Sequence, residues 1–172
     1  MIKLVGAVLI IFASTLFGFY KASLYAARPR QIRQLVHALK RLATEIGYGS
    51  TPLPVALRKL SAQCQRPLDQ MFATIADRLS GGRSETVRQV WQETIQHFWG
   101  QTAMKAPEQE TLLELASTLG ISDREDQLKH LELAITGLQH EEAVARDEQQ
   151  KFEKLSRSLG MLGGALIVIL IY

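Results

Sequence analysis

DREDQLKHLELAITGLQHEEAVARDEQQKFEKLSRSLGMLGGALIVILIY, residues 123–172, reads as one helix that begins in water and ends in lipid. Ser122 and Glu125 form an S-x-x-E capping box just before it, which predicts the helix start. Leu128, Leu131, Ile135 and Leu138 follow with spacings of three, four and three, a narrow apolar seam of the coiled-coil kind. The same register runs on through Glu142, Ala145, Gln149, Phe152 and Ser156 to Leu159, so the seam turns polar and then recovers. From Leu159 onward there is no charge, and no Pro interrupts the run. At about 1.5 Å per residue such a helix reaches roughly 75 Å.

The 172 residues are enough for one modest core, and the Leu, Ala, Gln and Glu content favours helices. Net charge is +3, but it is unevenly placed: residues 28–105 hold 12 basic and 5 acidic side chains, residues 106–157 hold 6 and 12. The simplest consequence is that the two halves pack together and neutralise each other; the alternative is a basic face at a membrane and an acidic face for a partner. The lone Cys64 cannot form an internal disulfide.

Leu4 to Tyr20 carries no charge, and extended to about Ala26 it matches a hydrocarbon core of about 30 Å. A cleaved signal peptide competes with a retained span, since Lys3 precedes the apolar run. Cutting after Ala26 or Ala27 leaves bulky Leu24 or Tyr25 where a small residue is expected, which favours retention. Lys21, Arg28, Arg30 and Arg33 follow this segment, and Lys151, Lys154 and Arg157 precede the last one. The positive-inside rule then puts the middle of the chain in the cytoplasm and both termini outside. The final apolar run, Leu159 to Tyr172, is short at roughly 21 Å. It spans if Arg157 and Lys154 snorkel, and a re-entrant or interfacial tail is the alternative. Ser14, Gly18, Ala22 and Ala26 recur every fourth residue, and Gly160 and Gly164 form G-x-x-x-G, patterns that let helices approach closely in lipid or self-associate.

Between these segments the periodicity is helical throughout. Arg28-Pro29 is expected to break the first helix and begin the second, striped by Ile32, Leu35, Val36, Leu39, Leu42 and Ile46 and stopped by Gly47 and Gly49. Thr51 is expected to cap a short helix carrying Leu57 and Leu60, with Cys64 as a small core residue. Leu68, Met71, Phe72, Ile75 and Leu79 line the next helix, ended by Gly81-Gly82. Ser84 opens another with Val87, Val90, Trp91 and Phe98 inward, and Pro107 starts one carrying Leu112, Leu115, Ala116 and Leu119. No stretch alternates with period two. The fold class is therefore all-α: a cytoplasmic bundle of about six helices over residues 28–157, an N-terminal transmembrane helix over 1–27 and a C-terminal transmembrane segment over 158–172.

No chemistry stands out. His37, His97, His130 and His140 match no ligand spacing, and Cys64 has no Cys partner, so no metal and no cofactor is expected. Gly81-Gly82-Arg83-Ser84 is a helix–helix turn and lacks the Lys of a phosphate loop. The basic residues below the membrane suit anionic lipid headgroups; aromatics do not interleave with them, which argues against nucleic acid. Accessible candidates for partner docking are the turn Gly81, Gly82 and Arg83 and the acidic run Glu141, Glu142, Asp147 and Glu148.

Five stretches in order carry a resemblance: residues 28–35 (RPRQIRQL), 45–53 (EIGYGSTPL), 118–120 (TLG), 127–134 (QLKHLELA) and 158–160 (SLG). Together, between two terminal apolar segments, they resemble the stage III sporulation protein AB family of endospore-forming bacteria. The resemblance implies a helical cytoplasmic bundle between membrane helices, similar to inner-membrane platform proteins of type II secretion and type IV pilus systems. It implies a non-enzymatic role in the channel complex joining mother cell and forespore, with a secretion-type ATPase, stage III sporulation protein AA, and other stage III channel proteins as partners. It implies a place in the mother-cell or outer forespore membrane. Platform proteins generally carry two such helical domains per chain, whereas this sequence has room for one. A membrane-anchored helical adaptor or signalling protein, needing no ATPase, is the other reading.

Overall fold

The computed structural model describes residues 26–49, 51–82, 85–120 and 122–171, with the backbone alone for 153, 154 and 156–171. The described residues form six helices and no strand: α1 over residues 26–48, α2 Leu53–Ser61, α3 Leu68–Ser80, α4 Val87–Trp99, α5 Ala106–Leu115 and α6 Arg124–Ile171. The all-α expectation holds. The chain divides into two compact units, Arg28–Ala143 on one hand and Met1–Ala27 with Val144–Tyr172 on the other. In the latter, the described residues are helical. The expected N-terminal span lies, apart from Ala26 and Ala27, outside the described residues. The expected C-terminal segment is helical to Ile171, but its side chains lie outside them too. Among the described residues no helix is long and apolar enough to cross a membrane.

Within Arg28–Ala143, α1 buries Ile32, Leu35, Val36, Leu39 and Leu42, residues that share one face at 3.6 per turn. The expected break at Arg28-Pro29 does not occur, because residues 26–28 are already helical. Gly49 ends α1 at φ 82°, a backbone conformation open to glycine, and its N–H donates to the Glu45 carbonyl at 3.2 Å.

Thr51 does not cap α2. Its hydroxyl donates to Glu45 Oε2 at 2.7 Å, and Pro52 takes the cap position with no side-chain hydrogen bond. Thr86 caps α4 by accepting from the Gln89 N–H at 3.2 Å. The expected opener, Ser84, lies outside the described residues. On α4, Val90, Trp91, Thr94 and Ile95 are the buried face, while Val87 and Phe98 are only half-buried. The expected capping box at Ser122 is also displaced. Asp123 Oδ1 accepts the Asp126 N–H at 2.8 Å, whereas Ser122 Oγ turns back to the Thr118 carbonyl at 2.9 Å. Asp123 immediately precedes the first helical residue, and that is where an oxygen reaches the free amides.

Successive helices α2 to α5 pack on one another. Phe72 and Trp91 meet at 6.4 Å between ring centroids, and the Trp91 Nε1–H donates to the Leu112 carbonyl at 2.8 Å. Leu112 is in the last turn of α5, where carbonyls lack helical donors, so the indole both fills the core and satisfies an end. The α6 seam buries Leu131, Ala134, Ile135 and Leu138. It runs antiparallel to α1: Glu141 meets Arg28 at one end, and Leu128 and Arg124 meet Gly47 and Gly49 at the other.

Thr94 is the one buried side chain whose hydroxyl finds no protein partner among the described residues. Thr94→Val keeps the shape and removes the unsatisfied oxygen. It should raise stability by about 1 kcal/mol, read as a higher urea midpoint of the full-length chain in mild detergent.

Candidate functional site: a buried ion cluster and the end opposite it

Arg28, in the first turns of α1, has a side chain only 7% exposed. Its Nε and Nη2 donate to Glu108 Oε1 at 2.9 and 2.7 Å, and Nη2 also reaches Glu141 Oε2 at 3.1 Å. Glu108 is fully buried, and its other oxygen accepts the Lys105 N–H at 2.8 Å. One carboxylate thus caps α5 and binds a guanidinium from α1. One turn further along α1, Arg33 Nε donates to Glu142 Oε1 at 2.7 Å. The cluster therefore ties α1, α5 and α6 together. A buried cation is tolerated only when carboxylates surround it, and here two do.

Two of the expected headgroup-facing arginines, Arg28 and Arg33, are thus paired with two of the expected docking acids, Glu141 and Glu142, with the Arg33 side chain still about half exposed. The expected neutralisation of the two halves by each other is what these pairs provide. Arg30 and Lys151 are exposed, as is Asp147, while Glu148 is half-buried. Lys21, Ser14, Gly18, Ala22 and Arg83 lie outside the described residues. Ala26 is helical and half-buried. Lys154, Arg157, Gly160 and Gly164 are described only as helical backbone.

Gly81 and Gly82 form an exposed turn, Gly82 at φ 65°. The turn is held by Arg78, which donates to Glu85 at 2.9 Å and to Glu93 at 2.7 Å, bridging α3 to α4. Gly120 lies beside Leu53 and Val87, the first residues of α2 and α4, and Gly49 lies beside Arg124, so the C-terminal ends of α1, α3 and α5 share one end of the unit. Arg28 and Glu141 stand at the other end.

A small cleft of about 150 Å³ opens between α1 and the end of α2, lined by Gln34, His37, Arg41, Leu60 and Cys64. Burial pushes the Cys64 thiol up to about 11; the Asp69 carboxylate adds to this and Arg41 partly offsets it. A thiol this reluctant to ionise is a poor nucleophile at neutral pH. Among the described residues no three His, Cys, Asp or Glu side chains are grouped to hold a metal ion.

The family model for stage III sporulation protein AB matches residues 3–172. The chain belongs to the stage III sporulation protein AB family. It is 42% identical over 171 residues to stage III sporulation protein AB of Bacillus subtilis (strain 168), covering 99% of both chains. A solved structure of a stage III sporulation protein AB is similar at a TM-score of 0.69 and 39% identity, covering 73% of this chain and 98% of that one. The resemblance read from the five stretches is thereby shown, and the chain is a sporulation-family protein with that family's helical fold.

Glu108 was not legible as a site residue. Its one signal is position: it stands three residues after Lys105 at a Pro-marked helix start, where an acidic side chain caps the amides.

Arg28→Leu should cost about 3–5 kcal/mol, because it strands two carboxylates, one of them fully buried. The double change Arg28→Met with Glu108→Gln should recover most of that loss in the same urea titration. Cys64 should react with Ellman's reagent about 100-fold more slowly in the folded chain than in the urea-unfolded chain at pH 7, given the shift from 9.0 to about 11. The raised thiol contributes stability that is full below the unfolded value and is lost as pH rises through about 11.

Proposed function

We propose that this chain is a non-enzymatic membrane platform subunit of the channel complex joining mother cell and forespore, and that its helical domain docks a secretion-type ATPase. The observation that carries the reading is the placement of ends. The ion cluster brings Arg28 beside Glu141, so the chain enters and leaves the unit Arg28–Ala143 at one end. The C-terminal ends of α1, α3 and α5 gather at the other. Apolar sequence precedes the entry and follows the exit. Two spans there, with the domain in the cytoplasm, leave the turn end facing water and available to a soluble partner. The two-span reading rests on the apolar runs and their flanking basic residues in the sequence.

The lone thiol is held protonated, and His130 lies 3.6 Å from Asp126 one turn away on an open helix face. Other stage III channel proteins, membrane lipids and further copies of this chain complete the expected surroundings, since one helical domain per chain calls for assembly.

A tagged full-length chain, crosslinked in sporulating cells and purified in mild detergent, should bring down a secretion-type ATPase identified by mass spectrometry. Deleting residues 28–157 should abolish the recovery. Recovery of unrelated receptors alone, in cells where the ATPase is abundant, would replace the platform by a membrane-anchored adaptor.

A further inference from the structure

The ion cluster neutralises part of each half of the chain and leaves other charges on two separate surfaces. From Arg30 to Thr44, α1 carries no acid, and its exposed side holds Arg30, His37, Lys40 and Arg41. At about 100° per residue these stand roughly 120–220° round the helix from Arg28. The turn between α2 and α3 extends this side. Gln34 donates to the Gln65 side chain at 3.1 Å and accepts the Gln65 N–H at 3.2 Å, and the exposed Arg66 comes next. On α5 the pattern is the reverse. Ala106–Leu115 contains no base, and Glu110 and Glu114 are exposed, roughly 200–240° round the helix from Glu108.

Arg28 and Glu108 join α1 to α5. The basic side of α1 and the acidic side of α5 each point away from that junction, so they lie on opposite sides of the unit. They cannot reach each other within one copy. Elsewhere on the unit cations find acids at home: Arg58 holds Asp77, Lys59 holds Glu45, and Arg78 holds Glu85 and Glu93. Lys40, Arg41 and Arg66 on one side, and Glu110 and Glu114 on the other, make no ion pair among the described residues.

We propose that these two sides are a self-association interface, with the basic side of α1 lying against the acidic side of α5 in a second copy of this chain. His37 to Arg41 and Glu110 to Glu114 each cover about 6 Å of helix axis, so the two rows share a pitch. Complementary surfaces on opposite sides of one unit make a head-to-tail contact, which repeats from copy to copy and closes into a ring or runs on as a row. An anionic lipid surface or an unrelated acidic protein answers the basic side and leaves the acidic side bare. A second copy answers both, and that selects it as the occupant. The contact needs no ATPase, so its failure and the failure of the docking reading are separate results.

The test follows the mass of the full-length chain alone, by sedimentation in mild detergent. Raising salt from about 50 to about 500 mM should weaken association about tenfold or more, because it screens exposed charges. At the lower salt, Lys40→Glu with Arg41→Glu should weaken it by about as much, and so should Glu110→Lys with Glu114→Lys. An equal mixture of these two double variants should associate again, since one then carries two acidic sides and the other two basic ones. Helix content should be the same throughout, because all four positions are exposed. A photoreactive benzoylphenylalanine replacing His37 should crosslink to α5 of a second copy in sporulating cells. A monomeric unaltered chain, association indifferent to salt or to both reversals, or a mixture that stays apart would overturn the interface. Crosslinking from position 37 to lipid or to a different protein would overturn the choice of occupant.

Discussion

A guanidinium taken out of water must bring its counter-charges with it, and that constraint shapes the whole domain. Arg28 is 7% exposed and Glu108 fully buried, so neither can be hydrated by itself. The pair holds the start of α1 against the start of α5, and Glu141 brings in α6 from the far side of the sequence. Such a cluster stabilises little net of its desolvation, but it penalises every arrangement that separates the partners. Apolar packing alone would let α1 slide by a turn against α6 at modest cost. Here a slide would strand a buried carboxylate. The apolar faces supply the driving force, and the ions set the register.

The same cluster is where the two oppositely charged halves of the chain meet. The basic half contributes Arg28 and Arg33, and the acidic half contributes Glu108, Glu141 and Glu142. The seam of α6 turns polar at Glu142 because an arginine waits there. A polar position in an apolar seam is read as weakness in a sequence, but it is a register mark once its partner is known.

Most of the helical fold was readable from the stripe of Ile32, Leu35, Leu39 and Leu42 and from the glycines at 49, 81–82 and 120, since period and stop signals are local. The caps were less readable. Ser122 and Asp123 are both good cap residues, and the choice depends on which residue first takes helical dihedrals, a matter of one position. Thr51 had a competing acceptor in Glu45, six residues back across a turn. The site was hardest. Arg28 beside an apolar segment looks the same in sequence whether it meets phosphate or a carboxylate 80 residues away. Long-range charge pairs leave no periodic trace.

The stretches that carried the family resemblance can now be given physical content. Residues 28–35 hold both arginines of the ion cluster, and 45–53 form the clamped turn of Glu45, Gly49 and Thr51. Residues 118–120 make the turn whose Gly120 sits at φ 76° with Val87 3.1 Å from where a Cβ would be. None is a catalytic motif. Each fixes where one end of a helix goes, so what they encode is the geometry of two opposite ends and the stiffness between them. With its buried charges packed between the first and last helices of the unit, the chain fixes the register of those helices as well as their ends.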